Sequence, residues 1–138
     1  MDFRIWAVLS ALFAGLTALA SKRGLEGVPA NLAIAVRVSF ILVLVWGIAA
    51  FCQQTDVRKL TPENWGWLGF SAVATGGSWY CYFRALQKGP ISVVAPIDKL
   101  SFVLAIVLAA VFLREKITPN VGIGCVLIVA GVLITLKT

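Results

Sequence analysis

Apolar residues in this chain come in runs of about twenty, the length at which a helix crosses ~30 Å of hydrocarbon. Short polar, glycine- or proline-bearing stretches separate them. The first run is Phe3 to Ser21, closed by Lys22-Arg23-Gly24, and the second is Pro29 to Phe51, closed by Gln53-Gln54-Thr55-Asp56. The third opens at Thr61-Pro62-Glu63-Asn64 and reaches Gln87, before the turn Lys88-Gly89-Pro90. A fourth spans Ile91 to Leu113, ending in Arg114-Glu115-Lys116, and a fifth Asn120 to Leu136. The pattern predicts an all-α integral membrane protein of five transmembrane helices, with residues 1–138 as a single domain.

Two entries carry the same start signal. Thr61-Pro62 and Thr118-Pro119 each offer a hydroxyl cap followed by proline at the first helical position, where its missing N–H is no loss. Pro29 is expected to act similarly. The connections are short, so consecutive helices are expected to pack as antiparallel neighbours.

Composition agrees with a membrane chain. Hydrophobic residues make up 60% of the sequence and charged ones 13%, too few to clothe a soluble domain. The net charge of +6 is scattered in ones and twos beside the apolar runs, as expected of cations at lipid head groups, and no nucleic-acid motif accompanies it. Cys52, Cys81 and Cys125 are far apart in a chain without histidine, so they read as small buried hydrophobes, with no metal or other cofactor implied. With no phosphate loop and no nucleophile–base pairing, the chain does not read as an enzyme. Arg4, the apolar run and Ala18-Leu19-Ala20 resemble a cleavable leader, but four more spans follow, which favours a retained first helix.

Five spans put the termini on opposite faces. One face carries Arg4, Arg58, Lys59, Arg114 and Lys116; the other carries Lys22, Arg23, Arg84, Lys88 and Lys137. That balance gives no positive-inside preference. Such a chain can insert both ways and pair head to tail as a homodimer of ten helices, on the inverted-repeat plan of transporters; a partner subunit or an early helix that fixes one orientation is the alternative.

The run "YFRALQKGPISVVAPIDKLSFVLAIVLAAVFLREKITPNVGIGCVLIVAGVLI", with Leu113, Glu115 and Thr118 in an L-x-E-x-x-T pattern and Arg37 in the second span, resembles the drug/metabolite transporter superfamily. More narrowly, it resembles a single EamA-type repeat. Full-length members join two such repeats, so the resemblance implies completion to ten helices by dimerisation or by a second small subunit. It also implies secondary transport of a small organic molecule, frequently export, from the cytoplasmic (inner) membrane. Small multidrug exporters are less similar: they have four spans and a carboxylate in the first, whereas Phe3 to Ser21 contains no acid.

Residue spacing reaches a candidate site separately. Arg37 lies eight residues past Pro29 and Asp98 eight past Pro90, while Trp79 and Tyr80 precede Gln87 by eight and seven. All are then ~12 Å in from the same face at 1.5 Å per residue. Charges inside a span cost ~2.5–3.5 kcal/mol each on insertion scales and usually face a cavity or partner. Asp98 and Lys99, about 100° apart on a helix, are expected to take separate partners, with Arg37 first for Asp98. That pair either locks helices structurally or lets Asp98 exchange protons or cationic cargo; Lys99 can also snorkel. Pro96 leaves the Ser92 carbonyl without its helical donor and is expected to break the helix beside them. Trp79 and Tyr80 are candidates for stacking on an amine or aromatic cargo; Tyr82 and Phe83 fit an interfacial belt better. Gly124 and Gly131 share a face of the last helix and offer a subunit interface, packing within one copy being the alternative.

Overall fold

The computed structural model describes residues 2–136, so Lys137, counted above toward one face, lies outside the described residues. The elements are helices: α1 Phe3–Gly24, α2 Ala30–Phe51, α3 Pro62–Lys88, α4 Ile91–Asp98, α5 Leu100–Phe112 and α6 Pro119–Thr135, with a 3₁₀ turn at Val57–Lys59. Among the described residues, three rods are long and apolar enough to cross a bilayer: α1, α2 and the combined α4–α5 stretch Ile91–Phe112. The 27 residues of α3 include Glu63, Asn64 and Gln87, and α6 is apolar but 17 residues long.

Local chemistry accounts for most helix ends. Asp2 caps α1, its Oδ1 accepting from the Arg4 amide at 3.2 Å. At α3 the Asn64 amide donates to Thr61 Oγ1 (3.2 Å), and the Thr61 amide donates back to Asn64 Oδ1 (3.0 Å), a reciprocal capping box. Thr118 differs from expectation: its side chain makes no cap hydrogen bond, although Pro119 does begin α6. Pro29 is the residue before the first turn, not the first within it; its extended backbone (φ −60°, ψ 135°) turns the chain into Ala30. Past the end of α2, Gln53 takes the left-handed conformation (φ 55°) that usually falls to glycine. In return its amide reaches the Ala50 carbonyl (3.0 Å), and that of Gln54 reaches Ala49 (2.8 Å).

The chain forms two compact units, residues 1–87 and 88–138. In the first, the best-buried residues are Ser21, Leu25, Ala30, Phe83 and Leu86. They come from the end of α1, the start of α2 and the end of α3, so the core lies where these three ends converge. Two side chains span it. Lys22 Nζ donates to the Leu86 carbonyl, and Gln87 Nε2 donates to the Val28 carbonyl at 3.0 Å. Gly27 (φ +72°) makes the bend that presents Val28. Much of the remaining helix surface is exposed Leu, Val, Ile and Phe, the surface that lipid covers in a membrane protein.

In the second unit, α6 packs against α4 and α5, with Val94 and Val132 buried. The helix yields at the expected place, close after Pro96. The break is one residue wide, at Lys99, where bonding tightens: the Lys99 amide donates to the Pro96 carbonyl (3.1 Å) and the Phe102 amide to that of Lys99 (3.2 Å).

Candidate functional site

In the first unit, α2 delivers Arg37 to one face of α3. Its guanidinium carbon lies 4.5 Å from the centroid of the Trp79 ring and 5.6 Å from that of Phe83. Residues 79 and 83 are four apart, hence one above the other on a helix, and together they form an aromatic wall under the cation. Phe83, read from sequence as an interfacial residue, is in fact 2% exposed. The signal that could have found it was its i,i+4 relation to Trp79.

Tyr80 does not join this wall. One residue on, it points about 100° away and is exposed. There its hydroxyl accepts from Arg84 Nη2 (3.3 Å), and the Arg84 guanidinium lies 5.4 Å from its ring centroid. Of the aromatic pair singled out above, Trp79 alone meets Arg37.

The side of Arg37 also walls a cavity of about 580 Å³ in the same unit. Its lining is almost wholly apolar, with Val36 and Phe40 of α2 facing Thr17 and Ser21 of α1.

In the second unit, Asp98 and Lys99 pair with each other, Nζ to Oδ2 at 3.6 Å, against the expectation of separate partners. Lys99 keeps αR backbone (φ −70°, ψ −10°), so it is the length of its flexible stem that brings Nζ round to the neighbouring carboxylate. Their side chains are 36% and 59% exposed respectively. Around Gly124 and Gly131 of α6 an added Cβ would meet nothing within 4 Å, so both offer open, small-residue surface. Among the described residues no group of three or more His, Cys, Asp or Glu could hold a metal.

The EamA-like transporter family matches residues 4–137. The chain belongs to that family. As an EamA-like protein it is a multi-pass membrane protein of a transporter family, and two sets of relatives refine the picture. A Sinorhizobium protein named "Uncharacterized transporter in cobO 3'region" is 38% identical over 134 residues, covering 96% of this chain and 95% of the relative. The "Probable 4-amino-4-deoxy-L-arabinose-phosphoundecaprenol flippase subunit ArnE" of Enterobacter is 33% identical over 101 residues, 70% of this chain and 94% of its own length. Its Erwinia tasmaniensis counterpart is 35% identical, with the same shares. No solved structure matches the chain.

Proposed function

We propose that this EamA-like protein is a secondary transporter that moves a small organic molecule across the cytoplasmic membrane, in the export direction, by alternating access. The observation that carries the reading is a charged side chain held on aromatic rings beside a cavity, within helices whose outer surface is apolar. Ionisable residues within a span are costly, face the bundle interior or a cavity, and mark substrate or ion pathways. Support also comes from the family and from the full-length similarity to a protein named as a transporter.

Five helices cross the bilayer in this reading, and both units belong to one transmembrane domain. Arg37 and Trp79 hold cargo in the first unit, with Tyr80 at its edge. Asp98, at a helix break with half-exposed neighbours, is the proton-exchanging group, and Lys99 is its counter-charge. Two copies inserted in opposite senses complete a ten-helix transporter, with Gly124 and Gly131 at the subunit contact.

The test is reconstitution. Purified protein in liposomes loaded with a pH-sensitive dye is challenged with a panel of small metabolites. The reading expects at least one to drive proton movement, and Asp98→Asn to abolish that coupling while the far-ultraviolet spectrum stays unchanged. Coupling that survives in Asp98→Asn removes the residue from the mechanism.

A second reading, that the chain is a subunit working beside a different small membrane protein, is favoured by its similarity to proteins named as flippase subunits. Tags on both termini discriminate the two. Each tag reachable from both sides of the membrane supports the antiparallel homodimer; a single orientation with a stoichiometric co-purifying partner supports the subunit reading.

A further inference from the structure

Arg37 is held in an uncommon way for a cation on a membrane-crossing helix. Within its own unit, among the described residues, the ion pair joins Arg23 to Glu26 and does not involve it. Among the described residues of its own unit, no carboxylate, carbonyl or hydroxyl accepts a hydrogen bond from its side chain. Its partners are the rings of Trp79 and Phe83. A ring stabilises the positive charge through its π face. It does not satisfy the five N–H donors that a guanidinium carries in its plane, the fork that matches a carboxylate or phosphate.

The cavity beside Arg37 supplies the other half of the argument. Its volume, about 580 Å³, lies within the ~300–1,000 Å³ usual for ligand pockets. It follows α2 from Leu32 to Ile41, a rise of ~13 Å at 1.5 Å per residue. Val36, Phe40 and Phe83 make its wall greasy, and Thr17 and Ser21 contribute the only hydroxyls. An elongated apolar slot with one cation in its side fits a molecule that has an apolar chain and an anionic head. A cationic cargo fits poorly, because the aromatic face that would receive it already carries the guanidinium.

We propose that this cavity binds an anionic amphiphile, with phosphate or carboxylate oxygens on the in-plane donors of Arg37 and the apolar chain along Val36 and Phe40. This gives a class to the cargo of the transporter proposed above, and it rests on that reading only for the claim that the bound molecule is moved. Binding is therefore measured without transport.

The purified protein in a neutral detergent is titrated with dodecyl phosphate, phosphatidylglycerol, dodecanol, dodecyltrimethylammonium and inorganic phosphate, and native mass spectrometry counts the adducts. Expected is one dodecyl phosphate or phosphatidylglycerol per chain, weakened about tenfold or more in Arg37→Gln, as losing charge-assisted hydrogen bonds implies. Arg58→Gln, in the 3₁₀ turn, should bind as the parent does. Preference for phosphatidylglycerol identifies a bilayer lipid as the source; preference for dodecyl phosphate identifies a single-chain cargo. Both support the inference.

Equal binding of dodecanol or dodecyltrimethylammonium overturns it, as does full displacement by inorganic phosphate at equal concentration. Parent-like binding in Arg37→Gln does the same. Should that variant not fold, Ala33→Leu keeps the guanidinium while filling the slot, and binding that it leaves unchanged overturns the proposal. Failure of both anions to bind removes the cargo class and leaves the transport reading standing.

Discussion

Truncating Phe83 should loosen the first unit by an amount that can be worked out. Its ring is 2% exposed and sits 5.6 Å from the Arg37 guanidinium, against the wall of the cavity. In water-soluble cores Phe→Ala costs about 3–5 kcal/mol, part for returning apolar atoms to water and part for the void left behind. In a bilayer the separated helices keep that side chain in hydrocarbon, so the first share largely disappears. Roughly half, ~2 kcal/mol, remains as lost packing. Removing one of the two rings under Arg37 adds ~0.5–1 kcal/mol, for a total of about 2–3 kcal/mol.

The assay is reversible unfolding in mixed micelles by increasing dodecyl sulfate, followed by circular dichroism. Phe83→Leu, which keeps most of the bulk and loses the ring, should recover all but the last ~1 kcal/mol. Phe70→Ala, at a position 69% exposed, should stay within about 0.5 kcal/mol of the parent. A Phe83→Ala protein as stable as the Phe70→Ala control would refute the reasoning, because it would mean that the aromatic wall carries no packing energy.

The remaining expectations concern the chain's bends and ties. Gly27→Ala should cost about 1–2 kcal/mol through backbone strain alone, since φ is +72° and an added Cβ meets nothing within 4 Å; Gly27→Asn should cost less, and thermal unfolding in detergent compares the two. Pro96→Ala restores a donor for the Ser92 carbonyl and should slow hydrogen exchange around residues 96–100 while reducing transport; unchanged exchange would show that the break at Lys99 does not depend on the proline. Replacing Lys22 with Met removes its bond to the Leu86 carbonyl and should speed exchange at the end of α3, with no change at its capped start near Asn64. Gly124→Leu with Gly131→Leu should abolish any cross-linked dimer and leave the helical spectrum intact; dimers that survive would place the subunit contact elsewhere.

Helix extents were largely legible in the sequence because lipid imposes a simple rule on span length. The expected second run, Pro29 to Phe51, became Ala30–Phe51, and the fifth, Asn120 to Leu136, became Pro119–Thr135. The hydroxyl cap at Thr61 could be read from Thr61-Pro62, while its reciprocal bond with Asn64 was not foreseen. The candidate site was legible only in part. A charge in an apolar run announces itself, so Arg37 was found, and Trp79 was found beside it by depth. Which neighbour of Trp79 shares its face is a matter of the 100° step per residue, and that step favours Phe83 over Tyr80. The Asp98–Lys99 pair was missed because the 100° step between adjacent residues was weighed without the reach of the lysine's flexible stem. The ties from Lys22 to Leu86 and from Gln87 to Val28 join residues 64 and 59 positions apart. They satisfy backbone carbonyls, which every residue has, so no side-chain pattern foretells them.

Those ties have a mechanical consequence. They fasten α1, α2 and α3 at the end of the first unit where α1 ends, α2 begins and α3 ends. Tongs riveted at one tip part at the other, and the same leverage holds here: a small rotation about the fastened end becomes a wide separation of the helices at their far ends. Arg37, about 10 Å from the rivet at 1.5 Å per residue, sits on the short arm, where that swing is least and its stack on Trp79 can persist while the far ends gape.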